Sequence, residues 1–200
     1  PVGEVTRSEI DRMTGGDFVN QGIALQVPNY QYIEASELLD RALSKSSAPL
    51  IVALDGITDP RNLGAIIRSA AAFGAHGIVL PQRRSVGVTA SAWKTSAGAA
   101  ARIPVALAAN LTATIKDYKK RGVFVVGLDA GGDMNLQKFT LGREPLLIVV
   151  GSEGKGLSRL VTENCDAIVS IPISSATESL NAGIAASVTL YEVSKLRSRD

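Results

Sequence analysis

Leu50-Ile-Val-Ala-Leu-Asp-Gly-Ile-Thr-Asp-Pro-Arg-Asn-Leu-Gly-Ala-Ile-Ile-Arg68 is the stretch on which the reading of the fold turns. It opens with an unbroken apolar run of strand length and no polar alternation, the pattern of a strand buried on both faces of a parallel sheet. After a short turn, Asp59 stands where a helix N-cap belongs. Pro60 follows at the first helical position, where proline's missing N–H costs nothing. Leu63, Ile66, Ile67 and Ala70 then supply one apolar helix face. A buried strand running into a capped helix is the repeating unit of α/β architecture.

The unit recurs along the chain. Apolar, often β-branched runs lie at 77–80, 103–107, 123–128, 146–150 and 167–171. Helix-like stretches lie at 35–44, 62–73, 89–100, 111–121, 157–164 and 180–197. This alternation predicts an α/β fold with a mostly parallel sheet flanked by helices and joined by right-handed crossovers. The start of the chain differs. Thr14-Gly-Gly-Asp17 and Val27-Pro-Asn-Tyr30 are turn-rich, and 22–27 is the one strong strand candidate there. Residues 1–45 therefore read as a linker with an edge strand, and 46–200 as the domain that carries the motifs.

Composition narrows the class. At 200 residues, 46% apolar and 4% aromatic, the chain can close a core built mainly of Val, Ile, Leu and Ala. A single cysteine, Cys165, excludes an internal disulfide and fits a reducing compartment. With one histidine, His76, it leaves too few ligands for a typical zinc site, so no metal is expected. The apolar runs are too short to cross a bilayer and no signal-peptide pattern is visible, so a cytoplasmic protein without a membrane partner is expected. The net charge of +2 hints only weakly at a polyanionic partner. The chain begins at Pro1 rather than Met, which leaves room for a substrate-recognition domain upstream.

Three blocks carry the chemistry. In the first, Asn62 and Arg68 are the polar residues left near a strand end. They read either as a helix-start Asn and a snorkelling surface Arg, or as an Arg aimed at a phosphate or reacting hydroxyl and oriented by Asn62. The second, Gly151-Ser-Glu-Gly-Lys-Gly156, follows the run 146–150 directly, and its glycines let backbone N–H groups approach a ligand. It is neither G-x-G-x-x-G nor a P-loop, since no Gly-Lys-Ser/Thr follows. Glu153 in such a turn can accept bonds from a ligand or a neighbouring loop.

The third block leaves 167–171 through Pro172, crosses Ser174-Ser-Ala-Thr-Glu-Ser179 and enters a helix at Leu180-Asn181, with Ser179 as N-cap. Ala182, Gly183, Ala185, Ala186 and Ser187 permit close packing on a core strand or on another subunit. Leu180, Ile184, Val188 and Tyr191 read as a core-facing stripe. Elsewhere His76 and Cys165 read as structural, and Arg83-Arg84 is the best local basic pair for a phosphate backbone.

In order and spacing these blocks resemble the three signature motifs of the SpoU/TrmH family of RNA ribose 2′-O-methyltransferases, in the SPOUT superfamily, over about residues 50–195. The stretch Thr14-Gly-Gly…Asn20-Gln-Gly-Ile23 resembles the linker of the bacterial 23S rRNA guanosine subgroup, with Asn20 where that subgroup usually has His. The resemblance implies an α/β sheet whose C-terminal segment forms a deep trefoil knot, against the general rule that chains do not thread loops. It implies S-adenosyl-L-methionine held in the knot, and a homodimer with its active site at a subunit junction. By position it assigns Gly151, Ile171 and Leu180 to the cofactor, with Glu153, Gly154 and Asn181 in the same loops. It assigns Asn62 and Arg68 to catalysis, the Arg activating the ribose hydroxyl.

A methyl group carried on a sulfonium is already activated, so neither a metal nor a covalent nucleophile is needed. A guanidinium that stays protonated is better suited to stabilising a developing alkoxide than to taking its proton. The expected substrate is a guanosine of 23S rRNA. A tRNA D-loop guanosine, methylation of a base nitrogen, and a non-catalytic RNA-binding or ribosome-assembly protein of the same fold stand as alternatives. A nucleotide-binding oxidoreductase is disfavoured by the missing dinucleotide fingerprint.

Overall fold

The computed structural model describes residues 2–15, 20–174 and 179–198. They fall into two compact units that divide between Gln31 and Tyr32. The first contains one helix, α1 (Arg7–Met13), closed by a capping box. The Thr6 hydroxyl accepts from the Glu9 N–H while the Glu9 carboxylate accepts from the Thr6 N–H. Asn20 donates to the Asp11 carboxylate at 2.7 Å and accepts from the Gly22 N–H at 3.0 Å, so it sets a local turn. The strand expected at 22–27 does not form. Ile23 and Leu25 are 78% and 82% exposed, and an extended segment that gains neither ladder bonds nor burial has nothing to hold it as a strand. Of the turn expected at 14–17, residues 16 and 17 lie outside the described residues.

The second unit runs β1 (Ile33–Glu34), α2 (Ala35–Lys45), β2 (Leu50–Asp55), α3 (Pro60–Ala72), β3 (Gly77–Pro81), α4 (Ala90–Thr95), β4 (Val105–Ala108), α5 (Leu111–Lys120), β5 (Phe124–Leu128), β6 (Met134–Asn135), β7 (Leu146–Gly151), α6 (Arg159–Thr162), β8 (Ala167–Ser170) and α7 (Ala182–Arg197). Among the described residues the strands form one eight-stranded sheet in the order β1-β4-β3-β2-β7-β5-β8-β6. Every ladder in it is parallel.

β2 and β7 lie at its centre, in register from Leu50↔Leu146 to Asp55↔Gly151. Their side chains are buried on both faces, which is why the sequence shows continuous apolar runs rather than alternation. Leu38 and Leu39 of α2 and Ile115 and Tyr118 of α5 join Ile51, Val125, Leu147 and Val149 in one cluster. Strand alternation sends Leu50, Val52 and Ile148 to the opposite face, where α3 and α7 pack. Each large aliphatic side chain buried this way contributes about 1.5–3 kcal/mol against the entropy of ordering the chain.

The elements depart from the sequence pattern in physically legible ways. The helix expected over 89–100 stops at Thr95, because Ala97 (φ 50°) and Gly98 (φ 80°) turn left-handed before a short 3-10 turn at Ala99–Ala101. α7 begins at Ala182, capped by Asn181 rather than Ser179: its Oδ1 accepts from the Gly183 and Ile184 N–H groups at 2.9 and 3.2 Å.

The stripe Leu180, Ile184, Val188, Tyr191 is not the buried face: Leu180 precedes α7, and it and Val188 are only half-buried. Ile184 and Tyr191 are 54% and 51% exposed, and the buried face is Ala182, Gly183, Ala186, Leu190 and Val193. α7 lies so close to α3 that a Cβ on Gly183 would sit 3.3 Å from the Ala65 Cβ, and Ser69 and Ser187 share a hydrogen bond at 2.7 Å. Small residues therefore take the seam and larger ones turn outward. Among the described residues no helix is long and apolar enough to cross a membrane, and no cluster of His, Cys, Asp and Glu could hold a metal ion.

Candidate active site

β7, β5 and β8 are adjacent in the sheet, and their C-terminal ends open on one cleft of about 410 Å³. Its walls come from 128–130 after β5, 150–156 at the end of β7, Val169, Ile171 and Ile173 in and after β8, and the entry to α7. Parallel sheets place ligands at this edge because the strand-to-helix loops there present free backbone donors.

The glycine block folds into a tight hairpin. Ser152 and Gly156 exchange both backbone hydrogen bonds, at 3.0 and 2.9 Å, and Gly154 and Gly156 take positive φ values of 77° and 63°. The turn thereby displays Glu153 and Lys155. Gly151 lies under the fold-back: a Cβ there would stand 2.3 Å from the Gly156 carbonyl carbon. The loop itself, before any ligand, requires glycine at this position. Asp55 closes the loop's exit by accepting from the Ser158 N–H at 2.6 Å.

Glu153 is the hub of a hydrogen-bonded trio. Its Oε1 accepts from Asn62 Nδ2 at 3.0 Å and also from Asn181 Nδ2. Asn181 Nδ2 donates in addition to Asn62 Oδ1 at 3.0 Å. With its Oδ1 capping α7, the Asn181 amide is used on both sides, and Asn62 is buried. One side chain from each of the three sequence blocks thus meets at a single point, held by charge-assisted bonds. The trio fixes the start of α3 and the start of α7 to the glycine hairpin. Oε2 of Glu153 accepts no hydrogen bond from the described residues.

Of the residues singled out in the sequence, Gly151, Glu153, Gly154, Ile171 and Leu180 line the cleft, and Asn181 and Asn62 are tied to it through Glu153. Arg68 is not brought to this cleft. It is exposed on α3 and makes no hydrogen bond or ion pair among the described residues. Arg83 and Arg84 are exposed in the loop after β3, which is anchored by the Val86 N–H on the Ile57 carbonyl at 2.9 Å; they too lie outside the lining. Residues 175–178 of the polar stretch in the third block lie outside the described residues.

The segment 128–130, with Asp129, lines the cleft and was missed by reading motifs. The available signal was its position directly after a parallel strand. His76 and Cys165 take the structural places expected of them. His76 Nδ1 accepts from the Leu50 N–H at 3.1 Å, and burial pushes the Cys165 thiol up to about 11, which leaves it unreactive.

A parallel sheet with a glycine hairpin and a ligand-sized cleft beyond its strand ends defines a small-molecule-binding α/β domain. This chain belongs to the SpoU rRNA Methylase family, whose model matches residues 49–191. It is 61% identical over 194 residues to an uncharacterized tRNA/rRNA methyltransferase of Mycobacterium avium, a match covering 97% of this chain and 62% of that protein. The chain therefore spans less than two thirds of that relative's length. Among solved structures it resembles the SpoU methyltransferase AviRb from Streptomyces viridochromogenes in complex with the cofactor AdoMet. That match has 29% identity and a TM-score of 0.72, covering 86% of this chain and 66% of AviRb. An RNA 2′-O ribose methyltransferase matches with 26% identity and a TM-score of 0.68, covering 88% of this chain and 62% of that one.

Proposed function

We propose that this chain is the catalytic domain of an S-adenosylmethionine-dependent RNA methyltransferase that acts on a ribose 2′-oxygen, that of a guanosine in 23S rRNA. The observation that carries the reading is the Asn62–Glu153–Asn181 trio, which locks the three signature blocks together beside the cleft. Family membership supports RNA methylation, and the two solved relatives support the cofactor and the ribose oxygen.

The residues present fit that cofactor. The cleft of about 410 Å³ lies within the roughly 300–1,000 Å³ of small-molecule sites. Leu128, Val150, Ile171 and Leu180 would offer apolar wall to an adenine, and Glu153 and Lys155 at the hairpin tip would be the polar groups available to its charged end. When bound, the cofactor supplies a methyl group already activated on sulfur.

The rest falls to side chains of this protein. They must hold the ribose oxygen in line, exclude water and stabilise the charge that develops as the hydroxyl proton leaves. Arg68 is the residue assigned to that charge. Arg68 is exposed and does not line the cleft of its own chain, so in this reading it serves the cleft of a second copy. Arg83 and Arg84 are assigned to the RNA backbone.

The test is transfer of labelled methyl groups to size-fractionated RNA, followed by digestion to nucleosides. Label in 2′-O-methylguanosine from 23S rRNA is the expected result. Label in tRNA changes the substrate, and label on a base moves the reaction off the ribose. Failure of the chain to bind S-adenosylmethionine would favour the non-catalytic RNA-binding alternative.

A further inference from the structure

We infer that Asp129 is a cofactor-binding residue of this cleft, its carboxylate accepting hydrogen bonds from the vicinal hydroxyls of the cofactor's ribose. The inference rests on reading the cleft as the S-adenosylmethionine site. Asp129 is the first residue beyond β5, next in the sheet to the strand that carries the glycine hairpin, with Leu128 paired to Val150. Its backbone N–H donates to the Val169 carbonyl at 3.1 Å, which fixes the main chain between β5 and β8. Its side chain is half committed. Oδ1 accepts from the Gly131 N–H at 2.9 Å, while Oδ2 takes no hydrogen bond from the described residues and the carboxylate joins no ion pair among them.

The free oxygen overhangs the hairpin. A Cβ at Gly156 would lie 2.7 Å from Asp129 Oδ2, with no other group so near. This chain therefore places a carboxylate, oriented by its own turn, over a glycine loop on the adjacent strand. Parallel α/β sheets that bind nucleotides use the same pairing, a glycine loop for close backbone approach and an acidic residue on a neighbouring strand end for ribose hydroxyls.

The surroundings choose the ribose over the ammonium group. Asp129 stands among Leu128, Ala130 and Val169, the apolar part of the wall where an adenosine would lie. The hairpin tip, with Glu153 and Lys155, is the polar part suited to the amino-acid end. A pair of neighbouring hydroxyls also offers two donors to a group that can only accept, and bonds to a charged acceptor are the stronger kind.

The test is calorimetric binding of two probes, S-adenosylhomocysteine and 5′-methylthioadenosine, to the wild-type chain and to Asp129→Asn. Both probes carry the ribose, and only the first carries the ammonium. Asp129 is exposed, so the variant should melt with the wild type. Both probes should weaken by about tenfold or more, and by the same factor. A 2′,3′-dideoxy form of methylthioadenosine should bind weakly to the wild type and no worse to the variant, closing a cycle that isolates the contact. Weakening of S-adenosylhomocysteine alone would reassign the carboxylate to the ammonium and overturn the ribose contact. Unchanged binding of both probes, or a dideoxy probe as tight as its parent on the wild type, removes Asp129 from the site while leaving the cofactor reading in place. A wild-type chain that binds neither probe brings down the cofactor reading and this inference with it.

Discussion

Arg68 and His76 show how differently two single residues can be tested. Arg68 makes no bond among the described residues that would explain it structurally, yet it stands six positions after Asn62 on a helix that is fixed to the cleft. If its charge stabilises the developing alkoxide, Arg68→Ala should lower the single-turnover rate by roughly 10²-fold while leaving cofactor affinity untouched. Lysine should rescue poorly, since it lacks the planar fork of donors. A near-normal single-turnover rate would return Arg68 to the surface and move the catalytic role elsewhere. His76 belongs to stability. Burial first, and then the Arg197 and Lys45 charges nearby, hold its imidazole below the ordinary value of 6.5. The unfolded chain therefore binds this proton more readily than the folded one. The stability it secures is present above 6.5 and is lost as pH falls from there toward the lower folded-state value. Urea midpoints at about pH 7.5 and about pH 5.5 should separate for the wild type more than for His76→Gln. Equal separations would show that His76 is not the group responsible.

At the scale of elements, the hairpin after β7 carries the sharpest expectation. The clash at Gly151 is with backbone and begins at the first carbon of a side chain, so Gly151→Ala should displace the hairpin nearly as much as Gly151→Val. Each should weaken S-adenosylmethionine by at least about tenfold, or 1.4 kcal/mol, with β7 itself still folded. Calorimetry that finds alanine tolerated and valine not would mean that the ligand, rather than the loop, fills that space. The same element shows what a sequence can reveal. The runs 50–54 and 146–150 announced buried parallel strands because nothing in them alternates, and Asp59-Pro60 announced the start of α3. The three blocks could be recognised one by one, but their meeting through Glu153 Oε1 could not, since it depends on contacts across as many as 119 positions. β1 and β6, two residues each, are too short to leave a pattern. The stripe Ile184–Tyr191 misled because helical spacing marks an apolar face without saying what covers it, and a seam that admits only small residues leaves its mark as Ala and Gly rather than Leu.

At the scale of the whole molecule, α7 carries two large apolar side chains that the described residues leave exposed. Ile184 and Tyr191 lie exposed along α7, and Tyr191 packs edge-on against Phe73 with ring centroids 5.7 Å apart. Lys195 stands over the Tyr191 ring at 5.5 Å. We propose that a second copy of this chain covers these side chains. A second copy seated on α7 would bury them and bring a foreign Arg68 toward each cleft, which joins the dimer and the catalytic assignment in one experiment. The double variant Ile184→Asp, Tyr191→Asp should behave as a monomer by light scattering at micromolar concentration while the wild type behaves as a dimer. It should bind S-adenosylmethionine with little change, because neither side chain belongs to the cleft lining. It should also lose methyl transfer by about the same roughly 10²-fold factor as Arg68→Ala, since both changes withdraw the same charge from the reacting oxygen. A wild-type chain that is monomeric and still methylates RNA would sink the dimer and oblige each subunit to find its alkoxide partner within its own cleft.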